Sequence, residues 1–238
     1  MSASQRHKCE IHNRTVIYDG SCPPYNSVIY PPQSAVPEEP IPDRFYAYSD
    51  GIGYMSTPYV LDGTKNLVIG AVFYGEDTEP DYTRINTLFG VDTDFALVTS
   101  HINDNTQSVF RSLLAGQNNN RRDLGSTEGR TRLVISIAIP ANSGLGDNAT
   151  VRVDQRSDLA AIGPNGWPVG PLLFGFRSGG GTNKFKGLIA DAFVIEDGVL
   201  VHQWPMDEGT GTSATDIIGG DDGTYIDMQW IEGADYNP

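Results

Sequence analysis

Apolar residues from residue 44 onward occur in short runs that are separated by clusters of Gly, Asn, Asp and Pro. β-Branched and aromatic residues dominate these runs, as is typical of residues on a pleated surface. No 3.6-residue periodicity is sustained, and residues 108–114 form the only segment whose spacing suits a helical turn. The runs predict strands at 67–74, 95–99, 109–114, 133–139, 150–153, 172–177, 185–195 and 199–206. Many short strands between such turns predict an all-β, two-sheet antiparallel β-sandwich.

The first 43 residues have a different composition, with seven of the 15 prolines. Proline fixes φ and favours extended backbone at the residue before it. Tyrosine and aliphatic residues lie between the prolines, so the segment predicts an extended arm that packs against another surface rather than an inert linker. We therefore divide the chain into an arm at 1–43 and a sandwich at 44–238. The arm residues expected to contact a partner are Tyr18, Tyr25, Ile29 and Tyr30.

Charge excludes some classes of partner. The chain carries 30 Asp and Glu residues against 16 Lys and Arg residues, a formal net charge of −14. Scattered basic residues in an acidic chain do not form the positive surface that nucleic acid or an anionic membrane requires. The N-terminus has no apolar run after its basic residues, so we expect no secretory signal and synthesis in a cytoplasm. Cys9 and Cys22 are then expected to be free thiols.

Two C-terminal segments resemble the concanavalin A-like, laminin-G-like jelly rolls. The first runs from Phe185 through Gly187 and Ile189 to an apolar stretch that ends at Ile195. The second contains Trp204, then Asp-Glu-Gly, Gly-Thr, Thr-Asp and a final Gly-Thr at 223–224. The resemblance covers roughly residues 44–238 and implies a lectin-like sandwich. Its order, with the Asp-Glu-Gly signature late in the chain, is similar to sandwiches of tailed-phage structural proteins.

The late position of this signature suggests one permuted domain whose closing strands complete the sheet. Within it, Trp204 is expected to anchor the core, and Asp207 and Asp216 to accept hydrogen bonds from turn amides. Positive φ is predicted for five glycines, at positions 209, 211, 219, 220 and 223.

Catalytic patterns are absent from the sequence. No strand carries carboxylates at alternate positions, the spacing with which glucan-cleaving sandwiches place an acid and a nucleophile on one sheet face. The chain also lacks the Gly-x-Ser-x-Gly, His-Glu-x-x-His and phosphate-loop motifs. We therefore expect no enzyme and no catalytic residue.

The sequence offers two candidate metal sites, one for calcium and one for zinc. The last 48 residues hold 11 acidic residues and no Lys or Arg, and a calcium ion would take oxygen ligands from glycine-rich loops there. The alternative is that these carboxylates stabilise turns. The calcium candidates are Asp207, Glu208, Asp216, Asp221 and Asp222, and the zinc candidates are His7, Cys9, His12 and Cys22.

Carbohydrate binding is the recurring activity that the resemblance implies. Aromatic and amide side chains suit it, with Tyr82, Trp167 and residues 118–120 as candidates. The polar loops at 116–129 and 159–171 fit either ligand binding or neutral insertion.

The leading hypothesis from sequence is a virion structural protein of a tailed bacteriophage, a capsid decoration (cement) protein. Its arm would attach it to other virion proteins, above all the major capsid protein, and a homotrimer would match a three-fold position. The alternatives are a tail-fibre or receptor-binding component that grips host glycans, and a glycoside hydrolase or lyase with an unfamiliar site.

Overall fold

The computed structural model describes residues 6–11, 14–19, 44–75, 85–91, 95–101, 108–114, 117–122, 133–153, 156–163, 170–176 and 185–235. The chain divides into two compact units, Met1–Ser34 and Ala35–Pro238. In the first unit, β1 (Arg6–Ile11) and β2 (Arg14–Asp19) pair as an antiparallel hairpin, which the sequence pattern did not predict.

The second unit is built from sixteen strands in the part of the chain that the structure describes, and from no α-helix there. Their bounds are β3 (Phe45–Asp50), β4 (Tyr54–Val60), β5 (Leu67–Gly75), β6 (Ile85–Gly90), β7 (Phe95–His101), β8 (Ser108–Leu114), β9 (Gln117–Arg122), β10 (Leu133–Ile139), β11 (Asn148–Val153), β12 (Arg156–Ala161), β13 (Pro171–Phe174), β14 (Lys186–Glu196), β15 (Val199–Trp204), β16 (Ser213–Ala214), β17 (Gly223–Ile226) and β18 (Gln229–Glu232). A short 3₁₀ turn, Gly233–Asp235, follows. None of the described segments is a helix long and apolar enough to cross a membrane.

These strands form two eight-stranded antiparallel sheets. Sheet I has the order β12-β11-β10-β5-β14-β3-β18, with β15 also paired to β14. Sheet II has the order β16-β17-β4-β13-β6-β7-β8-β9. The predicted all-β, two-sheet, concanavalin A-like jelly roll is confirmed.

The core lies between the sheets and follows from the two-residue alternation of side chains along each strand. Leu67, Ile69, Ala71 and Phe73 of β5 all point into it and are at most 1 % exposed. Trp204, predicted as a core anchor, is fully buried. A smaller buried cluster lies on the opposite face of sheet I and consists of Tyr46, Val72, Tyr74, Leu188 and Ala190.

The closing strands complete both sheets. In sheet II β17 pairs with β4, and in sheet I β18 pairs with β3, so the C-terminal motif is integral to the sandwich, as expected. The strand predicted at 109–114 is found as β8, which pairs with β7 and β9 on its two sides, and the helical turn that its spacing also suited is not formed. One local prediction was wrong. Residues 117–122, taken for a loop, are β9, because backbone pairing with β8 does not require apolar side chains.

Candidate functional site

The Asp216 carboxylate organises the turn that follows β16. Its Oδ1 accepts hydrogen bonds from the backbone N–H groups of Gln203 (3.0 Å), Ile218 (3.1 Å) and Gly219 (3.0 Å). Its Oδ2 accepts one from the N–H of Asp221 at 3.1 Å and lies 2.7 Å from Nδ1 of His202. The Asp216 side chain is fully buried. Five donors on one buried carboxylate make Asp216 a structural centre, as the sequence predicted for it.

These hydrogen bonds also set the acidity of Asp216. Burial alone would raise the pKa of this carboxyl, because desolvation disfavours the charged form. The hydrogen bonds from His202 and from the backbone of Gln203, Gly219 and Ile218 outweigh burial and lower the pKa of Asp216 from 3.8 to about 2.

Gly219 lets the turn lie close to this pair of side chains. A Cβ atom on Gly219 would lie 2.4 Å from Nδ1 of His202 and 2.7 Å from Oδ2 of Asp216. The predicted positive φ is found at Gly209, Gly211 and Gly220, but Gly219 and Gly223 do not have it. Glycine is needed at position 219 because the turn approaches His202 and Asp216 closely, and not because the backbone there has a positive φ.

His202 is packed between aromatic rings in the core. Its ring stacks on Trp204, with centroids 5.4 Å apart and an interplanar angle of 6°, and it meets the edge of Tyr59 at 5.0 Å. The Tyr59 hydroxyl donates to Oε1 of Glu196 at 2.9 Å. Burial, followed by the contact with Glu196, raises the pKa of Tyr59. The ring of His202 is therefore part of the packed core and has a structural role there.

The remaining acidic residues of the turn are also held by the protein. Oε1 of Glu208 accepts the Thr215 N–H at 2.6 Å, and its Oε2 accepts the Tyr225 hydroxyl at 2.8 Å. Oδ1 of Asp222 accepts the Asp216 N–H at 2.9 Å. Among the residues that the structure describes, no group of three or more His, Cys, Asp or Glu side chains could hold a metal ion.

Asp207 takes part in a second charged cluster, although the sequence predicts turn hydrogen bonds for it. It lies 3.7 Å from Nη1 of Arg44. Arg44 also makes a bidentate pair with Asp191, at 3.2 and 2.8 Å, and lies over the ring of Tyr46. Burial acts to lower the pKa of Arg44, but the hydrogen bond with Asp191 and further contacts raise it. This cluster joins β3 to β14 at the start of the sandwich.

The outer face of sheet II offers side chains to a ligand. Along β4, Met55, Thr57 and Tyr59 are buried, so alternation turns Tyr54 and Ser56 outward, and both are partly exposed. The Tyr54 ring packs on Phe176, with centroids 4.8 Å apart and an interplanar angle of 37°.

Strand β17 extends this outer face beside β4. Its Ile226 lies opposite Tyr54 in register, and its exposed Thr224 lies opposite Ser56. We call this patch the Tyr54 surface, and it consists of Tyr54, Ser56, Phe176, Thr224 and Ile226. It combines aromatic rings with hydroxyl groups that can donate and accept hydrogen bonds.

Of the sequence-predicted carbohydrate-binding residues that the structure describes, none belongs to the Tyr54 surface. Residues 118–120 lie on β9, five strands from β4 in sheet II and thus roughly 24 Å away at the usual strand spacing. Tyr18 lies in β2, opposite His7 in register. Outside the described residues are Tyr25, Ile29, Tyr30, Tyr82, Trp167, His12 and Cys22.

Sequence reasoning missed the Tyr54 surface because both faces of β4 carry a tyrosine. Tyr54 and Tyr59 are five positions apart, so they lie on opposite faces of the strand. Only the pairing of β4 between β17 and β13 shows which one points outward.

No family model matches the chain, and no curated protein matches it in sequence. Solved structures do resemble it. A Bacteroides ovatus protein proposed to bind carbohydrate aligns with a TM-score of 0.55 and 14 % identity, over 79 % of this chain and 60 % of that one. The chain therefore spans about three fifths of that protein's length. A heptameric pentraxin from Limulus polyphemus aligns with a TM-score of 0.43 and 12 % identity, over 64 % of this chain and 76 % of that one. The first likeness shows the fold: the chain contains a lectin-like jelly-roll sandwich.

Proposed function

We propose that this chain is a non-catalytic, lectin-like domain that binds carbohydrate on the Tyr54 surface. The observation that carries the proposal is the Tyr54–Phe176 pair on an outer sheet face, with Ser56 and Thr224 hydroxyls on the neighbouring positions. Aromatic faces pack against the apolar faces of sugar rings, and hydroxyls exchange hydrogen bonds with sugar hydroxyls.

Two further observations support a binding domain over an enzyme. The most prominent carboxylates, Asp216 and Glu208, hold backbone and tyrosine donors of the protein itself, so they are not poised as an acid and a nucleophile. A structure with the same fold comes from a protein proposed to bind carbohydrate. Both fit recognition without turnover.

A glycan array tests the proposal. The full chain should bind a subset of glycans, and a Phe176→Ala variant of unchanged melting temperature should lose those signals. A matched Val60→Ala variant alters an exposed residue of the same strand as Tyr54 and should retain them. Equal binding by all three proteins would place carbohydrate recognition elsewhere, and absence of any signal would overturn the proposed function.

The biological setting stays a prediction. A receptor-binding component of a phage tail would use a glycan-binding sandwich directly, which makes it the setting that best fits this proposal. The capsid decoration hypothesis rests on the arm at 1–43. Copy number in purified particles separates the two, because decoration requires hundreds of copies and a tail component few.

A further inference from the structure

Two adjacent isoleucines are displayed at the tip of the turn that Asp216 organises. Ile217 is 56 % exposed and Ile218 is 51 % exposed. Turn positions of this kind favour Gly, Asn, Asp and Ser, whose backbone preferences suit a turn. Neither isoleucine belongs to a buried core cluster. Folding therefore does not account for two β-branched apolar residues at this place.

The backbone beneath these isoleucines is fixed. The Ile217 N–H donates to the carbonyl of Gln203 at 3.0 Å, and the Ile218 N–H donates to Asp216 at 3.1 Å. The far side of the turn is tied to the core, because Nε1 of Trp204 donates to the Asp221 carbonyl at 3.0 Å. A contact surface that is already ordered loses little conformational entropy on binding, so rigid display favours affinity.

The charged side chains next to the tip in the chain are all acidic. Exposed Asp221 and Asp222 follow the isoleucines after two glycines. Residues 191–238 contain no Lys or Arg. A partner of the same sign would be repelled, whereas a basic rim would meet these carboxylates favourably.

We propose that Ile217 and Ile218 form a docking tip for a protein partner that has an apolar hollow rimmed by lysine and arginine side chains. The two isoleucines fill the hollow as the central contact, and the carboxylates of Asp221 and Asp222 pair with the basic rim. This arrangement, an apolar anchor inside a polar rim, is the usual anatomy of a specific protein interface. The tip is distinct from the Tyr54 surface and does not depend on carbohydrate binding.

The test uses isotope-labelled full chain and two short amphipathic peptides as probes, one of leucine and lysine and one of leucine and glutamate. In an NMR titration the lysine peptide should shift resonances of residues 216–222, and the glutamate peptide should not. Ile217→Ser/Ile218→Ser should weaken lysine-peptide binding roughly tenfold or more. High salt should weaken it too, since the rim contacts are exposed.

Leu145→Ser provides the matched control, because Leu145 is 69 % exposed on a different loop. This variant should bind the lysine peptide as the unmodified chain does. Unchanged melting temperatures confirm that each variant is folded. The proposal is overturned if the glutamate peptide binds equally well, if the shifts map to other residues, or if the double variant binds like the unmodified chain.

Discussion

The Asp216 turn and the Tyr54 surface lie in the same sandwich but use their polar groups in opposite ways. In the turn, the carboxylates of Asp216, Glu208 and Asp222 each accept hydrogen bonds from donors of the protein itself. On the Tyr54 surface, Ser56 and Thr224 lie side by side on an outward face, next to a partly exposed aromatic pair. In the turn, the polar groups stabilise the folded chain, whereas on the Tyr54 surface they lie at the outside of the sheet.

This difference shows why sequence prominence is a poor guide to function here. The Asp-Glu-Gly and Thr-Asp residues are the most recognisable in the chain, yet their geometry explains them as the frame of a turn. Tyr54 lies outside these signatures, and it is a candidate binding residue only because of the sheet face on which it lies. A buried polar group needs an internal partner, so a distinctive polar pattern often marks structure.

Removing the Asp216 carboxylate should have the largest effect on stability. Asp216→Ala leaves the N–H groups of Gln203, Ile218, Gly219 and Asp221 without their acceptor and His202 without its partner. We expect a loss of about 3–5 kcal/mol in the free energy of unfolding, measured by urea denaturation. Asp221→Ala removes an exposed carboxylate and should change it by less than about 0.5 kcal/mol. Similar values for both variants would show that the turn is not organised by Asp216.

Gly219→Ala should destabilise the same turn by steric conflict. Its new Cβ would lie 2.4 Å from the His202 ring nitrogen, in a site where neither His202 nor Asp216 has room to move. We expect a loss of about 1–3 kcal/mol. Gly144→Ala is the control, since no atom lies within 4 Å of a Cβ there and its φ is ordinary. A Gly219→Ala protein as stable as the control would mean that the turn is loose.

Acid should weaken the turn in a defined pH window. The folded-state pKa of Asp216 is lowered to about 2 from 3.8, so its contribution is fully present above pH 4 and is lost as the pH falls through 2. The shift corresponds to roughly 2 kcal/mol. Stability measured between pH 5 and 2 should fall less steeply in Asp216→Asn than in the unmodified chain. Parallel curves would remove Asp216 as the titrating group.

Calcium should have the smallest effect. Because Asp216 and Glu208 already accept hydrogen bonds at both carboxylate oxygens, a calcium ion would have to displace those donors to be bound. The melting temperature should be the same with millimolar calcium and with chelator. A rise with calcium that Asp216→Asn abolishes would show that these carboxylates bind metal after all.

The sequence predicted much of the fold because β-branched runs and turn residues are local signals. It predicted β5, β10 and β14 nearly to their ends, and the buried role of Trp204. It could not predict β9, because backbone pairing with β8 supports that polar strand. Similarly, the contact of His202 with Asp216 joins residues 14 positions apart through a turn whose geometry no local pattern specifies. The one clue to the burial of His202 was its position two residues before Trp204, which puts both side chains on the inward face of β15.

The Tyr54 surface could not be predicted from the sequence for the same physical reason. Which side of a strand faces the core depends on its partners, and β4 gains its orientation from β13 and β17, distant in sequence. Long-range pairing of this kind determines the ligand-facing set of side chains in a sandwich. Sequence periodicity alone gives two equivalent choices of face.

The most direct test of this account is calorimetric titration of a glycan selected on the array into three proteins: the unmodified chain, Tyr54→Ala and Val60→Ala. Tyr54 is partly exposed, so its loss should cost at most about 1 kcal/mol of stability while removing the aromatic contact with the sugar. We predict binding by the unmodified chain and by Val60→Ala, and at least tenfold weaker binding by Tyr54→Ala. Undiminished binding by a folded Tyr54→Ala protein would contradict the assignment of the Tyr54 surface as the ligand-binding face.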